Sequence, residues 1–437
     1  MPKRISRLRE LNSCADWIAS RRPSVRKKWA ACLPDELVSD LLCLWVFWAR
    51  SDQLPPHGRW RSWLFMGGRG AGKTRAGAEW LAGEIRAGRA RRIALVGPTM
   101  NDVREVMITG ASGLASIGAQ GERPEYEASR HRLVWPNGAV GYAFSAEEPE
   151  RLRGPQFDSA WVDEVAAWNN AAATWDMLQF GLRLGDTPRL VATTTPKPVP
   201  IVKRLLADES CVVTRGASAL NAANLASGFV EAMRTQYGSG SLGRQELDGE
   251  LVENRDGALF AFSTIDASRV NTAPEMDEII ISVDPAVTSH KGSDACGIIA
   301  IGRAGNDAFI LADATMQGVP STVWAPRVAD LAEAFDADAI LAESNQGGEL
   351  VRDVIAQTGT GRVVKLVHAR LGKKLRAGPV AALYTAGRVH HVGDYRELED
   401  EMVGFGFSND SPNRLDALVH GVTHLCLARC APRISRI

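Results

Sequence analysis

The 437-residue chain lacks any run of about 18 apolar residues, so it predicts no membrane-spanning helix. Its longest apolar stretches are strand-sized and break on glycine, proline or charge. The first residues, MPKRISRLRELNSCADW, are basic but without the apolar core of a secretory signal. The seven cysteines are scattered, odd in number and form no CxxC pair, which argues against a disulfide framework and a thiolate zinc site. A reducing, intracellular setting is the expectation. His420 and His424 have i, i+4 spacing without an HExxH motif, so with His390 and His391 they read as satisfied surface or core histidines. Internal repeats and low-complexity tracts are also missing. Net charge is zero, 51 basic against 51 acidic residues, which fits poorly with a protein that coats DNA statically.

The charge is unevenly placed. Residues 1–28 are strongly basic, and residues 362–376 carry Arg362, Lys365, Arg370, Lys373, Lys374 and Arg376 with no acid. Such patches can contact a phosphate backbone without a basic total, or can be plain solvated surface. Residues 1–50 read as a helical lead, with leucine-rich apolar positions between polar ones. Strand-like runs then recur at 63–66, 93–96, 133–135, 140–144, 159–163, 190–194 and 212–214, with helical stretches such as 74–86 between some of them. Pro136-Asn137-Gly138 marks a hairpin. The pattern predicts an α/β domain with a largely parallel sheet over 51–252, a linker over 253–275, and a second α/β unit over 276–437. Strands of that second unit are expected at 279–283, 296–301, 308–315 and 339–343, with more helix after them.

Gly67-Gly68-Arg69-Gly70-Ala71-Gly72-Lys73-Thr74 matches G-x-x-x-x-G-K-T between a strand and a helix. Gly67, Gly70 and Gly72 let backbone N–H groups curl around phosphate oxygens, and the helix start favours anions. Lys73 is placed to neutralise β/γ-phosphates and Thr74 to ligate Mg²⁺, so ATP is the expected nucleotide. The strand 157–163 ends on Asp163, the carboxylate for that metal, and Glu164 follows as candidate general base. Thr193, Thr194 and Thr195 end another strand, where hydroxyls can sense the γ-phosphate; threonine's ordinary β-propensity is the plainer reading. For charge stabilisation, Arg69 can act in cis, and Arg153 in cis or on a neighbouring subunit. Trp60 and Arg61 can stack on adenine or belong to core and surface.

In the second unit, three acids interrupt apolar settings: Asp284 and Glu343 at strand ends, Asp416 on a helix. Buried carboxylates tend to converge on a cation. Such oxygen ligands favour Mg²⁺ or Mn²⁺, which can activate water for phosphodiester cleavage. Asp294 is a fourth ligand or a strand cap.

The stretches GGRGAGKTRAGAEW, RLRGPQFDSAWVDE, VATTTPKP, IISVDPAV, ILAESNQGG and SPNRLDALVHGVTHL together resemble the large terminase subunit of tailed bacteriophages, in its prophage and gene-transfer-agent forms. The resemblance covers 67–425. It implies a P-loop ATPase of the additional-strand class, followed by an RNase H-like nuclease domain. It implies a motor that drives double-stranded DNA through a portal protein into a capsid and cuts concatemeric DNA. Lys73, Thr74, Asp163 and Glu164 then look like the Walker A, Walker B and catalytic positions. Thr193–Thr195 resemble the coupling motif and Arg153 the trans-acting arginine. Asp284, Glu343 and Asp416 resemble the acidic triad, with Arg370, Lys373, Lys374 and Arg376 as phosphate contacts. The implied partners are DNA, portal, small terminase subunit and a ring of copies, in the bacterial cytoplasm and transiently on the procapsid. Two readings compete: a translocase or helicase with a non-catalytic second domain, and a nucleotide-switched capsid-assembly protein without turnover.

Overall fold

The computed structural model describes residues 14–238, 240–253, 257–285, 295–344, 349–368, 372–407 and 412–427. The chain divides into two compact units near residue 253. Among the described residues no helix is long and apolar enough to cross a membrane.

Short helices occupy the lead, at Cys14–Ala19, Pro23–Ala31, Asp35–Cys43 and Trp45–Trp48. The first unit's strands are β1 (Ser62–Gly67), β2 (Arg92–Gly97), β3 (Glu125–Glu127), β4 (Arg132–Val134), β5 (Val140–Ser145), β6 (Ser159–Asp163), β7 (Arg189–Thr194) and β8 (Cys211–Gly216). They form one sheet in the order β3-β4-β5-β2-β6-β7-β1-β8. From β5 to β8 every pairing is parallel, and β3, β4 and β5 form an antiparallel edge. Parallel strands covered on both faces read as continuous apolar runs, and β1 is buried along its whole length. Alternate residues feed opposite cores. Trp63, Phe65, Ile93, Leu95 and Trp161 face the helix α1 (Lys73–Arg86), while Leu64, Met66, Ala94, Val96 and Val162 fill the other side. Strand β7 lies between β1 and β6, the interposed strand that the additional-strand class requires.

The second unit's sheet contains β9 (Arg269–Val270), β10 (Glu278–Asp284), β11 (Ala295–Ala304), β12 (Asp307–Asp313), β13 (Met316–Gln317), β14 (Ala339–Glu343), β15 (Val363–Val367) and β16 (Val389–Val392). The order is β15-β14-β10-β11-β12-β16-β9, with β13 on β11. Strands β10, β11 and β12 are antiparallel, and β14 and β15 run parallel to β10, an RNase H-like arrangement. The helix α2 (Ser321–Ala334) packs Trp324, Val328 and Leu331 against Ile281, Val283 and Ile298. The helices α3 (Lys373–Thr385), α4 (Arg396–Gly404) and α5 (Asn413–Val422) follow, and α5 lies on β10 and β11. Within the stretch read as a linker, Phe262–Ala267 is a helix and β9 joins the sheet beside β16. Buried Phe260, Phe262 and Ile265 anchor it, three apolar positions in a stretch of otherwise mixed composition.

Candidate active sites

The loop 67–72 leaves the end of β1 and turns into α1. Gly70 and Gly72 hold φ of 73° and 85°, left-handed values that only glycine takes without strain. The turn aims Lys73 back over the loop. Its Nζ donates to the carbonyls of Gly67 (3.1 Å) and Gly68 (3.0 Å) and to Thr195 Oγ1 (3.1 Å), and lies 3.7 Å from Glu164 Oε1.

Asp163 ends β6 almost fully buried and accepts the Thr193 hydroxyl. Burial first, then the charge of Glu164, pushes its carboxyl up to about 7, against the Thr193 hydrogen bond and the Lys73 charge. Glu164 adopts a φ of 48°, uncommon for a non-glycine residue and concentrated at functional sites. That twist turns its carboxylate onto the Thr195 backbone N–H (3.0 Å) and hydroxyl (3.4 Å). The three threonines therefore have separate partners. Thr193 reaches Asp163, Thr194 accepts the Ala166 N–H (3.1 Å), and Thr195 bridges Lys73 and Glu164.

The two arginines diverge. Arg69 lines the cleft that also contains Lys73, Thr74, Asp163, Glu164 and Thr195, and its Nε lies 2.7 Å from Glu246 Oε2. Arg153 is not among that cleft's lining; its exposed side chain lies 3.1 Å from Glu150.

On the other flank of the loop is a cleft that the sequence did not reveal, lined by Trp45, Arg50, Gln53, Thr74 and Asn221. Arg50 donates to the carbonyl of Ala71 (2.7 Å) and to Asn221 Oδ1 (3.1 Å). Gln53 accepts the Arg50 N–H (3.2 Å) and donates to the Gly72 carbonyl (3.4 Å). No motif flags these residues, because their partners come from distant parts of the chain. Trp60 is not in this cleft. It is buried beside Trp80, with ring centroids 5.9 Å apart, and donates to the Pro56 carbonyl, so the adenine-stacking role is corrected to a core role. Arg61 donates to Gln179 instead.

In the second unit, Asp284 ends β10 and Glu343 ends the parallel neighbour β14. Asp416, buried, sits on the first turn of α5, which Ser282 docks by donating to the Ala417 carbonyl (2.6 Å). Asp284 and Glu343 lie close enough for each to shift the other's carboxyl. Burial first, then the neighbouring Glu343 and the charge of Asp416, pushes the Asp284 carboxyl well above the usual range. The His420 hydrogen bond is the main cause that holds Glu343 below it. Lys373 Nζ lies 2.5 Å from Asp416 Oδ2, and Arg376 lies 3.6 Å from Asp416 and 4.0 Å from Glu343. Lys374 is exposed beside them. Among the described residues no three His, Cys, Asp or Glu side chains form a ready-made metal cluster; Lys373, Arg376 and His420 stand among the acids. Asp294 and Arg370 lie outside the described residues.

His420, read from the sequence as a satisfied surface or core histidine, is buried beside the acids. One helical turn beyond Asp416, its Nε2 lies 3.3 Å from Glu343 Oε2 and 2.5 Å from Arg376. The i, i+4 step from Asp416 was the available signal, overshadowed by the comparison of His420 with His424.

Two family models match the chain. The model of the N-terminal part of the T4-like-virus-type terminase large subunit matches residues 64–267, and that of the terminase RNase H-like domain matches 281–425. Among solved structures, the large terminase of a thermophilic bacteriophage is 13% identical, covering 89% of this chain and 98% of that one, with a TM-score of 0.39. The HK97 bacteriophage large terminase is 13% identical, covering 84% and 92%, with a TM-score of 0.34. The ATPase domain of the Thermus phage P74-26 large terminase is 17% identical, covering 45% and 94%, with a TM-score of 0.35. No curated protein matches.

Proposed function

Because the chain belongs to the terminase large-subunit family, we propose that it is the motor that drives double-stranded DNA through a portal into a preformed capsid and cuts the concatemer. ATP-driven DNA translocation and nuclease activity are general to terminases. The observation that carries the motor assignment is the meeting of Lys73, Asp163, Glu164 and Thr195 where β1, β6 and β7 end.

In this reading, residues 51–252 form the ATPase and 276–437 the nuclease, with 1–50 as lead and 253–275 between them. The loop 67–72 cradles the ATP phosphates, and the cleft of Arg50, Gln53 and Asn221 takes the nucleoside side. Thr74 and Asp163 hold Mg²⁺. The fit is electrostatic: a buried carboxyl pushed up to about 7 by desolvation is one that a cation restores to its charged form. The Mg²⁺ ion supplies charge neutralisation to the β- and γ-phosphates. Glu164 takes the proton of the attacking water, and Lys73 balances the γ-phosphate. Arg69, released from Glu246, stabilises the transferred charge in cis, and the exposed Arg153 serves a neighbouring copy in a ring. Thr193, Thr194 and Thr195 pass loss of the γ-phosphate into β7.

In the nuclease, Asp284, Glu343 and Asp416 hold Mg²⁺ or Mn²⁺. Burial, then the neighbouring Glu343 and Asp416, raises the Asp284 carboxyl, and a hard cation bound there would restore its charge. The metal supplies water activation. Lys373, Lys374 and Arg376, with Arg370, contact DNA phosphates, and Asp294 is a candidate fourth ligand. The portal, the small terminase subunit and a ring of copies on the procapsid, in the bacterial cytoplasm, complete the proposal.

The test is ATP turnover with and without double-stranded DNA, and cleavage of supercoiled DNA with Mg²⁺ or Mn²⁺. DNA is expected to stimulate turnover, K73A to abolish it, and either metal to support cutting. Failure of both activities in the wild-type chain contradicts the proposal. A second reading, a translocase with a non-catalytic second domain, draws on Lys373, Arg376 and His420 lying among the acids. DNA-stimulated turnover without cleavage in either metal supports that reading.

A further inference from the structure

Strand β6 carries a tryptophan where any buried aliphatic side chain would satisfy the core. A buried indole N–H needs an acceptor, and Trp161, wholly buried, donates its Nε1–H to Thr193 Oγ1 at 3.2 Å. Trp161 and Asp163 are two residues apart on β6 and so share a face. Thr193 pairs in register with Asp163 on the adjacent parallel strand. The Thr193 hydroxyl has one proton and two acceptors in reach, the Val162 carbonyl at 3.1 Å and Asp163 Oδ1. The indole occupies an acceptor lone pair of that oxygen, and an indole nitrogen cannot accept in return. The hydroxyl proton therefore points away from Trp161, and the carboxylate is the stronger acceptor of the two.

The room for the indole comes from α1. A Cβ on Gly77, one turn beyond Lys73 and Thr74, would stand 2.3 Å from Trp161 Nε1. The helix that carries the phosphate-binding residues thus has a glycine where it crosses the ring. From this geometry we infer that Trp161 is a positioning residue of the ATPase site, which fixes the Thr193 hydroxyl as a donor to Asp163 and so orients that carboxylate toward its cation. The inference rests on the assignment of Asp163 to Mg²⁺. It assigns a function to a side chain that otherwise reads as core.

The test separates the hydrogen bond from the packing. In the full chain, the Mg²⁺ concentration needed for half-maximal binding of a fluorescent ATP analogue is measured alongside the melting temperature. W161F removes the donor and leaves a void, and G77A pushes the indole away. In G77A/W161F the added methyl fills space that the missing ring leaves. The double variant is expected to melt near the wild type yet still to need about tenfold more Mg²⁺, the usual scale for losing a partner that orients a metal ligand. T193V is expected to share that shift and T193S to escape it. A double variant or T193V with the wild-type Mg²⁺ requirement overturns the inference. D163N is the reference: a normal Mg²⁺ requirement there overturns the Asp163 assignment itself, whereas a shift in D163N alone overturns only the role of Trp161.

Discussion

Gln53 holds the phosphate loop from outside its motif, through the Gly72 carbonyl and the Arg50 N–H. Q53A removes a support of the phosphate loop, which bound nucleotide and transition state use alike. It is expected to raise KM for ATP by roughly tenfold with kcat little changed, measured by steady-state kinetics. Asp163 carries a second prediction. Its folded-state pKa is raised from 3.8 to about 7, so the fold favours the neutral acid. That contribution is fully present below about pH 4 and is lost as pH rises through 7. In EDTA, the first unit is expected to lose on the order of 2–4 kcal/mol between pH 4 and pH 8, read by denaturant unfolding, and D163N to flatten the trend. An equal slope in D163N contradicts the cause assigned. At this scale Lys73 and Thr74, and separately Asp163 and Glu164, were legible as candidates, because each pair lies in a short stretch at the end of its own strand. Gln53, Arg50 and His420 were not, because their partners Gly72, Asn221 and Glu343 arrive from other elements.

Helix α5 is held at its first turn by Arg414, which pairs with Asp313 (3.1 Å) and Glu401 (3.0 Å) and also reaches Glu397. It is mostly buried, so removing it leaves several carboxylates facing one another. R414A is expected to cost the second unit about 3 kcal/mol in denaturant unfolding and to reduce cleavage by loosening Asp416, with ATP turnover unchanged. Full cleavage at wild-type stability contradicts that role. The strands β10, β11, β12 and β14 were readable from their apolar runs. Strands β15 and β16 fell in a region read as helix. Strand β15 has no fully buried residue, and β16 alternates in burial over only four residues, Val389–Val392, whose types V-H-H-V do not alternate. The two-residue β9 exists only by pairing with β16, a long-range contact that no local pattern encodes.

At the scale of the whole molecule, the alternation of strands and helices announced two α/β units, and the sheet orders bear this out. The nuclease was less legible than the ATPase. A P-loop is a contiguous string, whereas the acids come from β10, β14 and α5 and meet only after folding. Zero net charge accords with the proposed motor, which would grip DNA through local patches and release it. The central claim is that two separable engines share this chain. The direct measurement is ATP turnover and DNA cleavage on matched preparations of wild type, E164Q and D284A. E164Q is expected to lower turnover by roughly 10²–10⁴-fold and spare cutting. D284A is expected to abolish cutting and leave DNA-stimulated turnover intact. A single substitution that extinguishes both activities, or a pair that leaves both untouched, contradicts the claim.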